Sequence, residues 1–120
     1  MRAPRVVHVS GFDLTEARQA EIERIFGQDV KIFHQSPLRL SPAELRKVIQ
    51  QRQPDAVVLA TAAPRHRRVI EELGGDVAVL RPMYEQVRNH RGEMEERHIG
   101  FGLLCGDGGI QPLADGAMAG

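Results

Sequence analysis

The sequence predicts an α/β fold: a Rossmann-like three-layer sandwich with a mainly parallel sheet of order about 2-1-3-4 and a C-terminal strand or hairpin. Three observations carry this. Four short runs rich in β-branched residues (5–10, 29–33, 55–60 and 76–80) alternate with segments of helical periodicity. Single helices between successive strands require right-handed crossovers and a sheet covered on both faces. The third run, Asp55-Ala56-Val57-Val58-Leu59-Ala60, is nearly all apolar, as suits a central strand buried on both sides.

The first strand, RVVHVS, stops at Gly11. Asp13 or Thr15 can cap the helix that follows, with Asp13 and Glu16 spaced as a capping box. Leu14, Ala17, Ile22, Ile25 and Phe26 recur at helical spacing, and Gly27 suits the stop. The second strand runs into His34-Gln35-Ser36-Pro37, which is turn chemistry. Ser41-Pro42-Ala43-Glu44 sets Ser at N-cap, Pro at N1 and Glu at N3 of a second helix, which ends before Pro54. Thr61-Ala62-Ala63-Pro64 turns into a third helix closed by Gly74-Gly75, and Asp76 opens the fourth strand. Residues 83–98 admit a short helix from Met83 to His90, or two hairpin arms, 83–89 and 94–104, around Arg91-Gly92. Alternation of Ile99, Phe101 and Leu103 favours the hairpin. A single domain is expected over 1–105, with a loose Gly/Ala-rich tail over 106–120.

Composition narrows the function classes. The chain has 120 residues, 42% hydrophobic and 27% charged, which suits one self-sufficient domain. Sixteen basic residues balance sixteen acidic ones, which argues against duplex DNA as a partner. Lys31 and Lys47 are the only lysines, and all other basic residues are arginines. That bias fits either a GC-rich or thermophilic source or arginines that grip phosphates. No segment approaches the roughly 20 apolar residues of a membrane span. The N-terminal residues have no signal-peptide pattern, and Cys105 is the single cysteine, so a cytoplasmic location is expected.

In a sheet of this order ligands sit beyond the carboxyl strand ends, at the switch point between strands one and three. That rim gathers Ser10, Gly11, Phe12 and Asp13 from the first loop and His34, Gln35 and Ser36 from the second. Thr61, Ala62, Pro64, Arg65 and His66 come from the third loop, and Arg81 from the fourth strand. Arg65, Arg67 and Arg68 crowd a helix start, where the dipole favours acidic groups. They either grip an anion, or simply solvate one face or pair with Glu71, Glu72 or another subunit. His34 and His66 are the acid–base candidates. His8, between valines, reads as a packed core or interface residue. Ser10 suits a phosphate-contacting hydroxyl better than a nucleophile, because no triad spacing exists. There is no dinucleotide fingerprint, no P-loop and no zinc spacing, so no cofactor and no metal are expected.

The segment Val9-Ser10-Gly11-Phe12-Asp13-Leu14-Thr15-Glu16-Ala17-Arg18-Gln19 resembles the start of small stand-alone CRISPR-associated Rossmann-fold proteins. Their first strand also ends in a small or polar residue, followed by Leu-Thr and a helix carrying Gln. The layout of residues 29–104 is similar as well, although the motif itself spans only about ten residues. That family is related to the CARF sensor domains of type III systems. The resemblance implies a homodimer whose two pockets merge to bind a cyclic oligoadenylate second messenger, with cyclic tetra-adenylate favoured. It further implies either a metal-independent ring nuclease, cutting by 2′-OH attack and damping CRISPR signalling, or a sponge that only sequesters the ring. Ser10 and Gly11 fall at the family's first phosphate loop, and residues 61–65 at its loop after the third strand. Neither place carries a lysine here. On this reading Arg65 stabilises charge, His34 or His66 carries the proton, and Ser10, Gly11, Phe12, Gln35, Ser36, Thr61, Ala62 and Arg81 contact the ligand. A nucleotide- or anion-binding regulatory domain outside CRISPR defence, or a scaffold protein, is the alternative.

Overall fold

The apolar run of valines around His8 makes β1 (Arg5–Val9) an interior strand of the sheet, flanked by β2 (Lys31–Gln35) and β3 (Ala56–Leu59). A computed structural model describes residues 3–73, 76–106 and 108–119. Its six strands lie in the order β2-β1-β3-β4-β5-β6. The first four strands follow the expected 2-1-3-4 order and are mutually parallel. The sheet as a whole is mixed, which corrects the expectation of a mainly parallel one. β4 (Ala78–Arg88) pairs antiparallel with β5 (Met94–Leu104), and β5 pairs antiparallel with β6 (Ile110–Pro112).

The helices cover both faces, so the architecture is an α/β sandwich compatible with a Rossmann-like one. Ile22, Ile25 and Phe26 of α1 (Glu16–Phe26) pack on Val6, Ala56, Val58, Leu80 and Phe101. On the opposite face Leu45 and Ile49 of α2 (Pro42–Arg52) and Ile70 of α3 (Pro64–Glu72) pack on Val7, Val9, Val57, Leu59 and Val79. Alternation along β1 therefore divides its side chains between two cores, with His8 and Ser10 on the α1 face. Among the described residues, seventeen buried hydrophobic ones make up these cores. A fully buried Val, Leu, Ile or Phe side chain contributes roughly 1.5–3 kcal/mol, so tertiary packing outweighs helix propensity here.

Local chemistry sets the helix ends. Ser41 Oγ accepts from Glu44 N (3.1 Å) while Glu44 Oε1 accepts from Ser41 N (3.2 Å), the reciprocal capping box read from sequence. At α1 the cap is Thr15, whose Oγ1 accepts from Arg18 N, and Asp13 is not used. α3 has Ala63 at N-cap with no side-chain bond. Its expected Gly74-Gly75 stop lies outside the described residues.

Beyond Leu80 the hairpin reading holds, but with one continuous strand. Arg81-Pro82 does not break β4, because β4 runs past the end of β3 and Pro82 sits where one edge is free. The register slips between Met83 and Tyr84: Met83 faces Gly100, Tyr84 faces His98, and Ile99 is the unpaired bulge residue. Gly100, at φ +145°, takes the backbone turn that this requires. Residues 84–98 then project as a two-stranded ribbon, and the molecule measures 47 × 31 × 30 Å. The segment expected as a loose tail carries β6. Leu113 and Met118 reach the α1-side core, and Gly116 N and Met118 N donate to Arg24 O and Ile25 O at the end of α1.

Candidate functional site: the strand-end rim

The carboxyl ends of β1 and β3, beside the middle of β4, carry two adjoining cavities that share Phe12, Ala60 and Tyr84. One, of about 210 Å³, is lined by His8, Ser10, Asp13, Thr15 and Arg18 as well. The other, of about 350 Å³, adds Leu59, Thr61, Ala62, Arg67, Arg81 and Pro82. Two rings stand out into solvent at this rim, Phe12 at 83% exposure and Tyr84 at 52%.

The loop hydroxyls share one geometry. Ser10 Oγ accepts from Phe12 N (3.1 Å), Ser36 Oγ from Leu38 N (3.2 Å) and Thr61 Oγ1 from Ala63 N (3.2 Å). In each case the oxygen is engaged by an amide two residues on, and the O–H is left to donate elsewhere. Ser10 is also fixed through its backbone: its N–H donates to Gln35 O (3.2 Å), and Ala60 N donates to Val9 O (2.9 Å).

Ser10, Phe12, Thr61, Ala62 and Arg81 therefore come together on the rim, as the sequence reading expected. Gly11 is exposed beside Leu38; Gln35 and Ser36 lie at the end of β2, away from both cavities. The three acid–base and charge candidates do not gather there. Arg65 is exposed and lines neither cavity. His66 Nε2 donates to Leu40 O (2.7 Å), which ties the β2–α2 loop to α3. His34 faces His8 across β1 and β2, with their Nδ1 atoms 3.0 Å apart. Within the arginine cluster it is Arg67 that reaches the cavity, while also pairing with Glu71 (3.6 Å). Arg68 points to Glu72 (3.8 Å).

Three rim residues escaped the sequence reading. Arg18 lies three residues after the Thr15 cap, on the first turn of α1. Its guanidinium sits 5.1 Å from the centroid of Phe101 and lines the smaller cavity. Tyr84 was hidden by the two readings of 83–98. His8, only 3% exposed, lines the cavity rather than merely filling the core. Burial, then His34 and Arg18, lower its pKa from 6.5 to about 4.

Among the described residues there is no group of three or more His, Cys, Asp or Glu that could hold a metal. No helix of the described residues is long and apolar enough to cross a membrane. Comparison with protein-family models, with curated proteins and with solved structures gives no match.

Proposed function

We propose that the rim binds a cyclic oligoadenylate, cyclic tetra-adenylate first among them, with two rims joined across the two-fold axis of a homodimer. The observation that carries this reading is the grouping of exposed Phe12 and Tyr84 with Arg18, Arg67 and Arg81 around two joined cavities. Aromatic faces stack bases at about 1–3 kcal/mol each, and arginine forks hold phosphates. The free O–H groups of Ser10 and Thr61 add donors to phosphate oxygens. An isologous dimer suits a symmetric ring, because each subunit meets an equivalent half. The wider resemblance to CARF-like proteins of type III CRISPR systems points to the same ligand and to a role in damping that signal.

Turnover, in this reading, needs no metal. A ribose 2′-hydroxyl gives up its proton to solvent as its oxygen attacks the adjacent phosphorus, the P–O5′ bond breaks, and the 5′-oxygen takes a proton from solvent, leaving a 2′,3′-cyclic phosphate and a 5′-hydroxyl. Positioning and charge stabilisation supply the rate. Sequestration without cutting is the second reading. It is favoured by the placing of Arg65 and His66, neither of which lines the cavities.

Incubation with labelled cyclic tri-, tetra- and hexa-adenylate in the presence of chelator tests both. Cut product supports turnover, and retained intact ring supports sequestration. Absence of binding to all three rings overturns the ligand assignment.

A further inference from the structure

We propose that the free edge of β2 binds an extended acidic peptide segment of a partner protein as an added strand, its carboxylates held by Arg5, Lys31 and Arg52. The site is independent of the rim. Arg5 and Lys31 open β1 and β2, whereas the rim lies at the carboxyl strand ends.

β2 is an outer strand of the sheet. Its ladder with β1 fixes which of its backbone groups stay open. Lys31 N donates to Pro4 O (2.8 Å), and Gln35 O accepts from Ser10 N (3.2 Å). Lys31, Phe33 and Gln35 therefore turn their backbone groups toward β1. By alternation the N–H and C=O of Ile32 and His34 face outward. Beyond the strand ladder, neither residue makes a backbone bond to a described residue. Open groups of this kind are a template for another chain.

The side chains beside this edge select the kind of chain. The Arg5 guanidinium lies 5.5 Å from the centroid of the Phe33 ring, and that of Arg52, at the end of α2, lies 4.4 Å from it. Arg5, Lys31 and Phe33 line a cavity of about 200 Å³. None of the three cations makes an ion pair with a described residue. The nearby Asp55 carboxylate accepts from the Arg5 amide (2.8 Å). Lys31 alone would read as an edge lysine that blunts unwanted pairing, and Arg52 as a cation suited to a helix C-terminus. Neither reason covers Arg5, whose Nε is buried with no hydrogen-bond partner among the described residues. Alternate side chains of an added strand project on the face of Lys31 and Phe33, where carboxylates supply the missing counter-charge. A second copy would bring the same cations to the edge, so like charge opposes self-pairing. Single-stranded nucleic acid relies on base stacking, and guanidiniums already stand over the Phe33 ring.

Fluorescence anisotropy of the full chain at low salt, with a labelled heptapeptide alternating glutamate and valine, tests the proposal. The peptide is expected to bind and its lysine–valine counterpart not to. Lys31→Glu combined with Arg52→Glu, both at exposed positions, is expected to weaken binding by about tenfold or more. Only alternate amides of an added strand face β2. Of two peptide isomers, N-methylated at the glutamates or at the valines, one is therefore expected to lose binding about tenfold and the other to keep it. Amide hydrogen exchange at Ile32 and His34 is expected to slow in the complex. Equal effects of the two methylations, unchanged exchange at those amides, or no binding of the acidic peptide overturns the inference. So does a labelled deca-adenylate RNA that displaces the peptide from the edge.

Discussion

Glu21 Oε2 on α1 lies 2.6 Å from His98 Nε2 on β5, joining a helix to a strand 77 residues later. Both side chains are about four-fifths buried, at 22% and 20% exposure. His98 also meets the Tyr84 and Phe101 rings edge-on, at 5.6 and 5.3 Å between centroids. Its other nitrogen, Nδ1, is buried without a hydrogen-bond partner among the described residues. Glu21→Ala leaves both ring nitrogens unpaired, at a cost of about 1–3 kcal/mol. Urea unfolding of the variant reads that loss directly, and an unchanged midpoint would show that the pair adds nothing.

Gly102 on β5 has no room for a side chain. A Cβ there would fall 2.9 Å from Met83 Sδ, 3.3 Å from Gln111 O and closer still to Ile110. The clash would push β6 off its neighbour. Gly102→Ala is expected to destabilise by about 1–3 kcal/mol. Gly92, whose Cβ would meet nothing within 4 Å but whose φ is +80°, is a control for backbone strain alone.

Acid sensitivity follows from His8. Its folded-state pKa of about 4 lies below the ordinary 6.5, so between these values the unfolded chain binds more protons. Stability is full above pH 6.5 and falls as pH drops toward about 4, by about 3 kcal/mol. Denaturant midpoints for wild type and His8→Val, taken at pH 7.5 and 4, isolate this contribution. The variant is expected to lose less on acidification.

For the rim, Phe12→Ala and Tyr84→Ala are each expected to weaken ring binding by about tenfold, the lower range of a stacking contact. Arg67→Ala is expected to weaken it too, and Arg65→Ala to leave it unchanged, as their placements relative to the cavity require. Calorimetric titration with cyclic tetra-adenylate separates the four variants. Equal losses for both arginines would mean that the whole helix start attracts the ligand by charge alone.

Much of the layout was legible because local rules and packing agree. The Ser41–Glu44 box, the apolar β3 run and the hairpin turn at Arg91-Gly92 all sit where their chemistry places them. What escaped depends on tertiary geometry. Asp13 and Thr15 both suit a cap, and only Thr15 Oγ1 meets the Arg18 amide. Ile99 fits the alternation with Phe101 and Leu103, yet the bulge removes it from the ladder. Arg65 and Arg67 are about 200° apart around α3, so one reaches the cavity and the other faces water. The His8–His34 contact needs the register of two strands, which neither strand records by itself.

The ribbon of residues 84–98 has a consequence for how the molecule opens. Beyond its base, where His98 meets Glu21 and Tyr84 lines the rim, it pairs only with itself, and most of its side chains are exposed. A two-stranded hairpin is marginal in water when unsupported. Its amides should exchange with deuterium by local opening, far faster than those of β1 and β3, whose release needs global unfolding. The turn at residues 89–92 is correspondingly where a protease would nick the native chain first.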